Sequence, residues 1–339
     1  MQRIFWILLS GGLLLGSCTS STKAPDVSHL QVTAPLSRFD QAFFALDTTR
    51  LTQGLDSLAR NYAAFYPEFM QYILGVSGDF TDTTTQRVVR QFISSYGGLN
   101  DSLQVPFANT EELQQEVEKS FQYLKYYFPS YQTGTISFYV GPFDAPGIAT
   151  VRSGTAVGLQ QFAGQDFFAY QTGALQSLYP SYISRRFTPR YIVPGIVKAI
   201  TEDLFPPRMA ELPLVEQMIE RGKYWYLASL LLPHHPDSLI TGYTQQQLNW
   251  CKENEGLIWS YLLKNEDLNS LNPIVIQTYL GEAPFTQGLS QESSPGNLGA
   301  WVGWQIVKKF AAANKELHPE AIMKTSPATI LEQAKYKPK

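Results

Sequence analysis

Apolar positions recur at helical spacing through most of the chain. In "NTEELQQEVEKSFQYLKYYF", Leu113, Val117, Phe121, Leu124 and Phe128 fall three or four residues apart, on one face of a helix. Asn109 followed by Glu112 has the form of a capping box that starts this helix, and Pro129 closes it. The helical pattern runs from about residue 40 to 128 and changes at 133. There "TISFYV" and "TAVGLQQF" bring β-branched and aromatic runs separated by glycines and prolines. They predict two strands of a small sheet, around 133–162, joined by an irregular loop.

Helices return after that. "GIVKAITEDLF" is one, ended by Pro206-Pro207, and "LPLVEQMIERGKYWYLASLLLP" is a second, stopped at Pro233. "YTQQQLNWCKENEGLIWSYLLKN" reads as a third, with Thr244 as cap and Gln247 three residues on. "SPGNLGAWVGWQIVKKFAAANKE" is the last, with Pro295 fit for its first turn, and the tail "EQAKYKPK" is expected to fray. The expected class is α+β, mainly α-helical, with a small central sheet.

The start of the chain follows a different logic. Arg3 precedes an apolar run from Ile4 to Leu15, about a dozen residues, whereas a membrane-spanning helix needs about 20. Leu15-Gly16-Ser17-Cys18 has the leucine, small, small, cysteine order of a bacterial lipobox. Residues 1–17 are therefore expected to be a lipoprotein signal peptide, cut before a Cys18 that carries lipid. Residues 18–34 read as a polar tether and 35–330 as one large domain. Several acyl chains together hold a protein to a membrane stably.

Composition narrows the function. The formal net charge is −3, so no basic stripe for nucleic acid is expected. Charged residues are only 16% and aromatics 13%, the mark of an ordered body rather than a disordered one. After Cys18 only Cys251 remains, so no internal disulfide is expected. The four histidines form no HExxH pattern, and there is no phosphate loop or G-x-S-x-G phrase, so no metal, cofactor or catalytic set is assigned.

A few residues still stand out as candidates for a binding surface or cleft. Gly299 and Gly303 lie four apart in the last helix beside Trp301, leaving a bare face for another backbone or for a ligand. Glu255 interrupts the apolar stripe of Leu248, Cys251, Ile258 and Leu262, close to Trp250. A carboxylate there needs a partner, either an arginine of "SRRFTPR" or a functional role. Arg185, Arg186 and Arg190 form a cluster able to grip carboxylates or phosphates.

Taken in order, "SRFDQAFF", "YPSYISRRFTPRYIVPGIVKAITEDLF", "MIERGKYWYLASLLLPHHPDSLITGYTQQQLNWCKENEGLIWSYLL" and "APFTQGLSQESSPGNLGAWVGWQIVKKF" resemble the gliding-motility lipoprotein GldB family of Bacteroidetes. The likeness covers about 36–312 and includes the lipobox. It implies a lipid-anchored cell-envelope protein serving gliding, with partners in the gliding or type IX secretion machinery, at the outer membrane. The order of the helices also distantly resembles zincin-type metallopeptidases. However, "GIVKAITEDLF" has no histidine, and Arg221-Gly222 stands where those enzymes offer a glutamate and a glycine. The fold would then be a degenerate zincin without its zinc site. The function expected is non-catalytic binding of an envelope protein, peptide or glycan. The alternatives are an envelope hydrolase with an acidic, non-zinc site (Glu255, Glu202 or Asp203) and a secretion-linked assembly factor.

Overall fold

The computed structural model describes residues 24–339, so Cys18 and the expected signal peptide lie outside the described residues. Four strands make one mixed sheet: β1 (Leu36–Ser37), β2 (Thr135–Tyr139), β3 (Ile148–Val151) and β4 (Gly154–Gly158), in the order β1-β2-β4-β3. The β2 strand is parallel to both β1 and β4, while β3 and β4 form a hairpin. Gly154, at φ 135°, opens β4 directly after the turn, where a side chain would be strained. Both expected strands are present, and the loop expected to be irregular contains a third, β3. That strand has no fully buried position, so it lacks the apolar signature of the other two. Helices dominate everything else, and the class is α+β and mainly α-helical.

The sheet divides two cores because its side chains alternate. Tyr139 and Ala156 face a phenylalanine-rich layer built from the helices Phe39–Phe44, Leu51–Asn61 and Thr83–Gln104. Ile136, Phe138 and Val157 face the helices Glu111–Tyr127 and Ile192–Leu204. Within "SRFDQAFF", Arg38 holds the buried Asp40 by two bonds, Nε–Oδ1 at 2.9 Å and Nη2–Oδ2 at 2.7 Å, and donates to the Phe107 carbonyl at 2.8 Å.

One helix, Leu214–Leu231, joins this body to a third core, and we call it the hub helix. Its first half buries Leu214, Val215, Met218 and Ile219 with the C-terminal helices, and its second half buries Leu227 and Leu231 with the sheet. It crosses the helix Leu298–Ala313, the glycine helix, at close range. Among the described residues no helix is long and apolar enough to cross a membrane.

Several expectations need correction. The tether reading of 18–34 does not hold for its described part, because Val27 and Ala34 are buried in the sheet core. Asn109 makes no capping box; its Oδ1 accepts from the Glu111 N–H at 2.8 Å, a turn that leads into the helix. The helix expected over 243–265 is two, Gln245–Glu253 and Glu255–Asn265, broken at Asn254, whose side chain donates back to the Trp250 carbonyl. Thr244 and Gln247 do form the expected capping box. Pro295 precedes the glycine helix instead of opening it. Nor does the tail fray: Pro319–Lys324 and Pro327–Ala334 are helices, and Ala334 and Tyr336 are buried beyond residue 330, where the domain was expected to end.

Candidate functional site

The residues singled out in the sequence do not gather in one place. Gly299 and Gly303 face the hub helix directly, with no room for a ligand between them and it. Trp301 is buried in the C-terminal core, and Trp250 is half-buried against it. Among the described residues Glu255 has no arginine partner; its Oε1 accepts from the Tyr336 hydroxyl at 2.6 Å. Arg185 fastens a turn, donating to the Gly242 carbonyl and to Gln247 Oε1, both at 3.1 Å. Burial lowers its pKa, with the neighbouring Arg186 adding to the effect. Arg190 is exposed and opens onto a hollow of 390 Å³ with His234 and His235. Of these only Arg186 reaches the cleft beside the hub helix, where its Nη1 pairs with Glu282 at 3.1 Å.

That cleft has a volume of 490 Å³ and runs between the hub helix and Ile192–Leu204. Such a volume lies in the roughly 300–1,000 Å³ range of ligand pockets. Arg221, Trp225, Ala228 and Leu232 line it at steps of four, three and four, one stripe of the hub helix and its C-cap. Opposite, Lys198 and Glu202 stand one turn apart on Ile192–Leu204. Gln277 and Glu282 close one side, and Asn297 and Ala300 close the end where the glycine helix begins.

Two polar atoms of this lining are buried without a partner, Arg221 Nε and Asn297 Oδ1. Arg221 has no ion pair or hydrogen bond with any described residue. Two positions along, Lys223 is the opposite case: its Nζ reaches Glu220 at 2.6 Å and the Thr325 carbonyl at 2.6 Å. One cation of the hub helix is thus consumed by the fold and the other is left over. Asn297 is held at φ 54°, and its carbonyl accepts from the Tyr243 hydroxyl at 2.9 Å while its side chain stays unmatched. Tyr224 donates to the Phe205 carbonyl at 2.6 Å, and burial, with Glu220 and Glu202 nearby, pushes its pKa up to about 12. At neutral pH it is a fixed, uncharged part of the wall.

The carboxylates considered for acid–base work lie apart. Asp203 Oδ2 accepts from Tyr131 at 2.8 Å and Glu255 is held by Tyr336, so only Glu202 lines the cleft. Among the described residues no three His, Cys, Asp or Glu side chains are grouped so as to hold a metal ion.

Sequence reasoning noticed Arg221 only as a departure from another family's glutamate, and it missed Lys198, Trp225 and Asn297. The available signal was an arginine next to a glycine at the point where the polar first half of the helix gives way to the apolar run from Tyr224. Among known proteins, a family model described as gliding motility protein GldB matches residues 20–338. No curated protein and no solved structure matches the chain.

Proposed function

Because this chain belongs to the gliding motility protein GldB family, we propose that it serves gliding as a lipid-anchored envelope protein that binds a ligand and catalyses nothing. The anchor would be Cys18, and the outer membrane, facing periplasm or surface, the location. The cleft beside the hub helix would hold a component of the gliding or type IX secretion machinery.

The observation that carries this reading is the unmatched Arg221. Its Nε is buried without an acceptor, and leaving a buried donor so costs about 1–3 kcal/mol. A fold that keeps such a group in a cleft wall, while satisfying Lys223 two residues on, has a use for its charge. Two carboxylates line the cleft, Glu202 and Glu282, but Glu282 is paired with Arg186, which favours binding over hydrolysis by an acid and a base at one reacting bond.

The test is Arg221→Gln introduced at the chromosomal locus of a gliding host. The expected result is loss of colony spreading with normal protein abundance in the envelope. Spreading at the parental rate would remove the cleft from the function.

A further inference from the structure

The strand order β1-β2-β4-β3 leaves β3 at one edge of the sheet. Residues of an antiparallel strand alternate between bonding to the neighbour and pointing away from it. The Gly158 N–H donates to the Gly147 carbonyl at 2.8 Å, and that bond sets the phase. With Ala149 opposite Ala156 and Val151 opposite Gly154, these two bond to β4, and Ile148 and Thr150 turn their N–H and C=O groups outward. Among the described residues no hydrogen bond reaches those outward groups. The next outward residue, Arg152, differs, because its N–H donates to Glu68 Oε1 at 3.0 Å. Glu68 thus closes one end of the edge and leaves the rest open. We infer that β3 docks an extended peptide segment of a partner protein, paired with Ile148 and Thr150 as an added strand. The site is made of main chain outside the cleft wall, so it goes beyond the cleft reading.

Sheet edges are ordinarily blunted by lysine, proline, a bulge or a covering element, because free main-chain groups recruit other chains. The β3 strand reads Ile-Ala-Thr-Val, with neither charge nor proline, and its register with β4 is unbroken. Thr150 is exposed and the other three residues are half-buried. Outward groups recur every second residue, about 7 Å apart, and an extended peptide offers N–H and C=O at the same interval. A phosphate or a sugar ring carries no such repeat. A second copy of the chain fits less well. A stable dimer buries roughly 1,200–2,000 Å², more than a strand of four residues supplies. A short segment is held by the main-chain bonds themselves.

The edge borders the cleft. Gly195 lines the cleft, and a Cβ on it would stand 2.9 Å from Ile148 Cγ1. The glycine lets the helix Ile192–Leu204 lie close against β3, so a strand added outside Ile148 runs beside the cleft.

The test exposes immobilised full-length protein in detergent to a mixed library of N-acetylated, C-amidated hexapeptides, with retained peptides quantified by mass spectrometry. Thr150→Pro removes the outward N–H but leaves the Ala149 and Val151 bonds to β4, since proline is tolerated on an edge strand. It should lower retention about fivefold or more, the loss of one main-chain bond of about 1 kcal/mol. Thr150→Val keeps the main chain and should retain peptides as wild type does. Circular dichroism melts confirm that both variants fold. Hydrogen exchange supplies a readout that needs no variant: the library should slow exchange across residues 148–151 of wild type. No retention by wild type, equal retention by Thr150→Pro, or no protection of 148–151 overturns the inference. An equal fall in Thr150→Val also overturns it, because the contact would then be one of side chains. A fall in Arg221→Gln but not in Thr150→Pro overturns it and places the peptide in the cleft, leaving the cleft reading intact. A wild-type dimer that Thr150→Pro converts to monomer overturns it in favour of a second copy.

Discussion

Gly222 of the hub helix and Gly303 of the glycine helix meet backbone to backbone. A Cβ on Gly303 would overlap the Met218 carbonyl, and one on Gly222 would overlap the Gly303 carbonyl. The small-residue face of the glycine helix is thus an interhelical seam, and the cleft lies just beside it, on the stripe that begins at Arg221. The seam sets how far Asn297, at the head of one helix, stands from Arg221 on the other.

Gly303→Ala should therefore cost stability at the upper end of the range for overpacking, about 3 kcal/mol, because peptide groups cannot rotate away as side chains do. Gly299→Ala should be milder, about 1 kcal/mol, since its Cβ would meet Met218 Cγ, Leu280 Cδ2 and the Tyr279 carbonyl at 2.9 to 3.0 Å, contacts that need only a small shift. Denaturant unfolding of both variants checks the ranking. Equal stability of Gly303→Ala and wild type would mean that the helices do not cross at this distance.

Glu255 should prove structural. Its bond from Tyr336 ties the start of Glu255–Asn265 to the last residues, and Trp259 packs edge-on against the same ring at 5.2 Å. Burial first, then the bond to Glu255, holds the Tyr336 phenol far above its ordinary pKa, so it remains a donor at any physiological pH. Tyr336→Phe should lose about 1–2 kcal/mol. Glu255→Gln keeps an acceptor, so it should stay within about 1 kcal/mol of wild type and leave spreading unchanged. Loss of spreading in a stable, abundant Glu255→Gln protein would instead revive the hydrolase.

Lys308 makes the fold pH-dependent. Its ammonium lies over the Trp304 ring, 3.7 Å from the centroid, and burial, with Lys252 adding repulsion, pushes its pKa down to about 8 despite the attraction of Asp237 and Glu255. Between about 8 and the ordinary value of 10.5 the unfolded chain binds the extra proton, so stability contributed by this residue rises with pH in that window and is flat below it. The raised tyrosines work in the opposite direction from about pH 10 upward. The comparison that isolates Lys308 is thus wild type against Lys308→Met. Wild type should gain on the order of 2 kcal/mol relative to the variant between pH 8 and 10. Parallel curves would mean that Lys308 titrates like a solvated lysine.

How much of this was legible in the sequence follows from the range of each signal. The helices and the β2 and β4 strands announce themselves by period, since burial on one face leaves a local trace. The third core's closure did not, because Tyr336 is one aromatic among lysines, and its partner Glu255 is distant in the chain. The break at Asn254 was hidden because the apolar stripe continues across it. Arg221 was the hardest to read: Glu220 and Lys223 beside it look like an ordinary surface pair, and only the fold shows that Lys223 is consumed while Arg221 is not.

That asymmetry yields a prediction in which stability and function move in opposite directions. If Arg221 were structural, replacing it would destabilise the protein. An unmatched donor in a wall does the reverse: the Nε–H has given up water and gains no bond in the folded chain. Arg221→Met keeps the length and apolar stem of the side chain, on the stripe it shares with Trp225 in the cleft lining. It should raise stability by about 1–2 kcal/mol in denaturant unfolding while abolishing colony spreading. Lys223→Met, in the same helix, should lose about 3 kcal/mol, because it strands Glu220 and the Met323 and Thr325 carbonyls. Should both substitutions destabilise alike, Arg221 has a partner inside the folded chain, and the cleft has no free charge to offer.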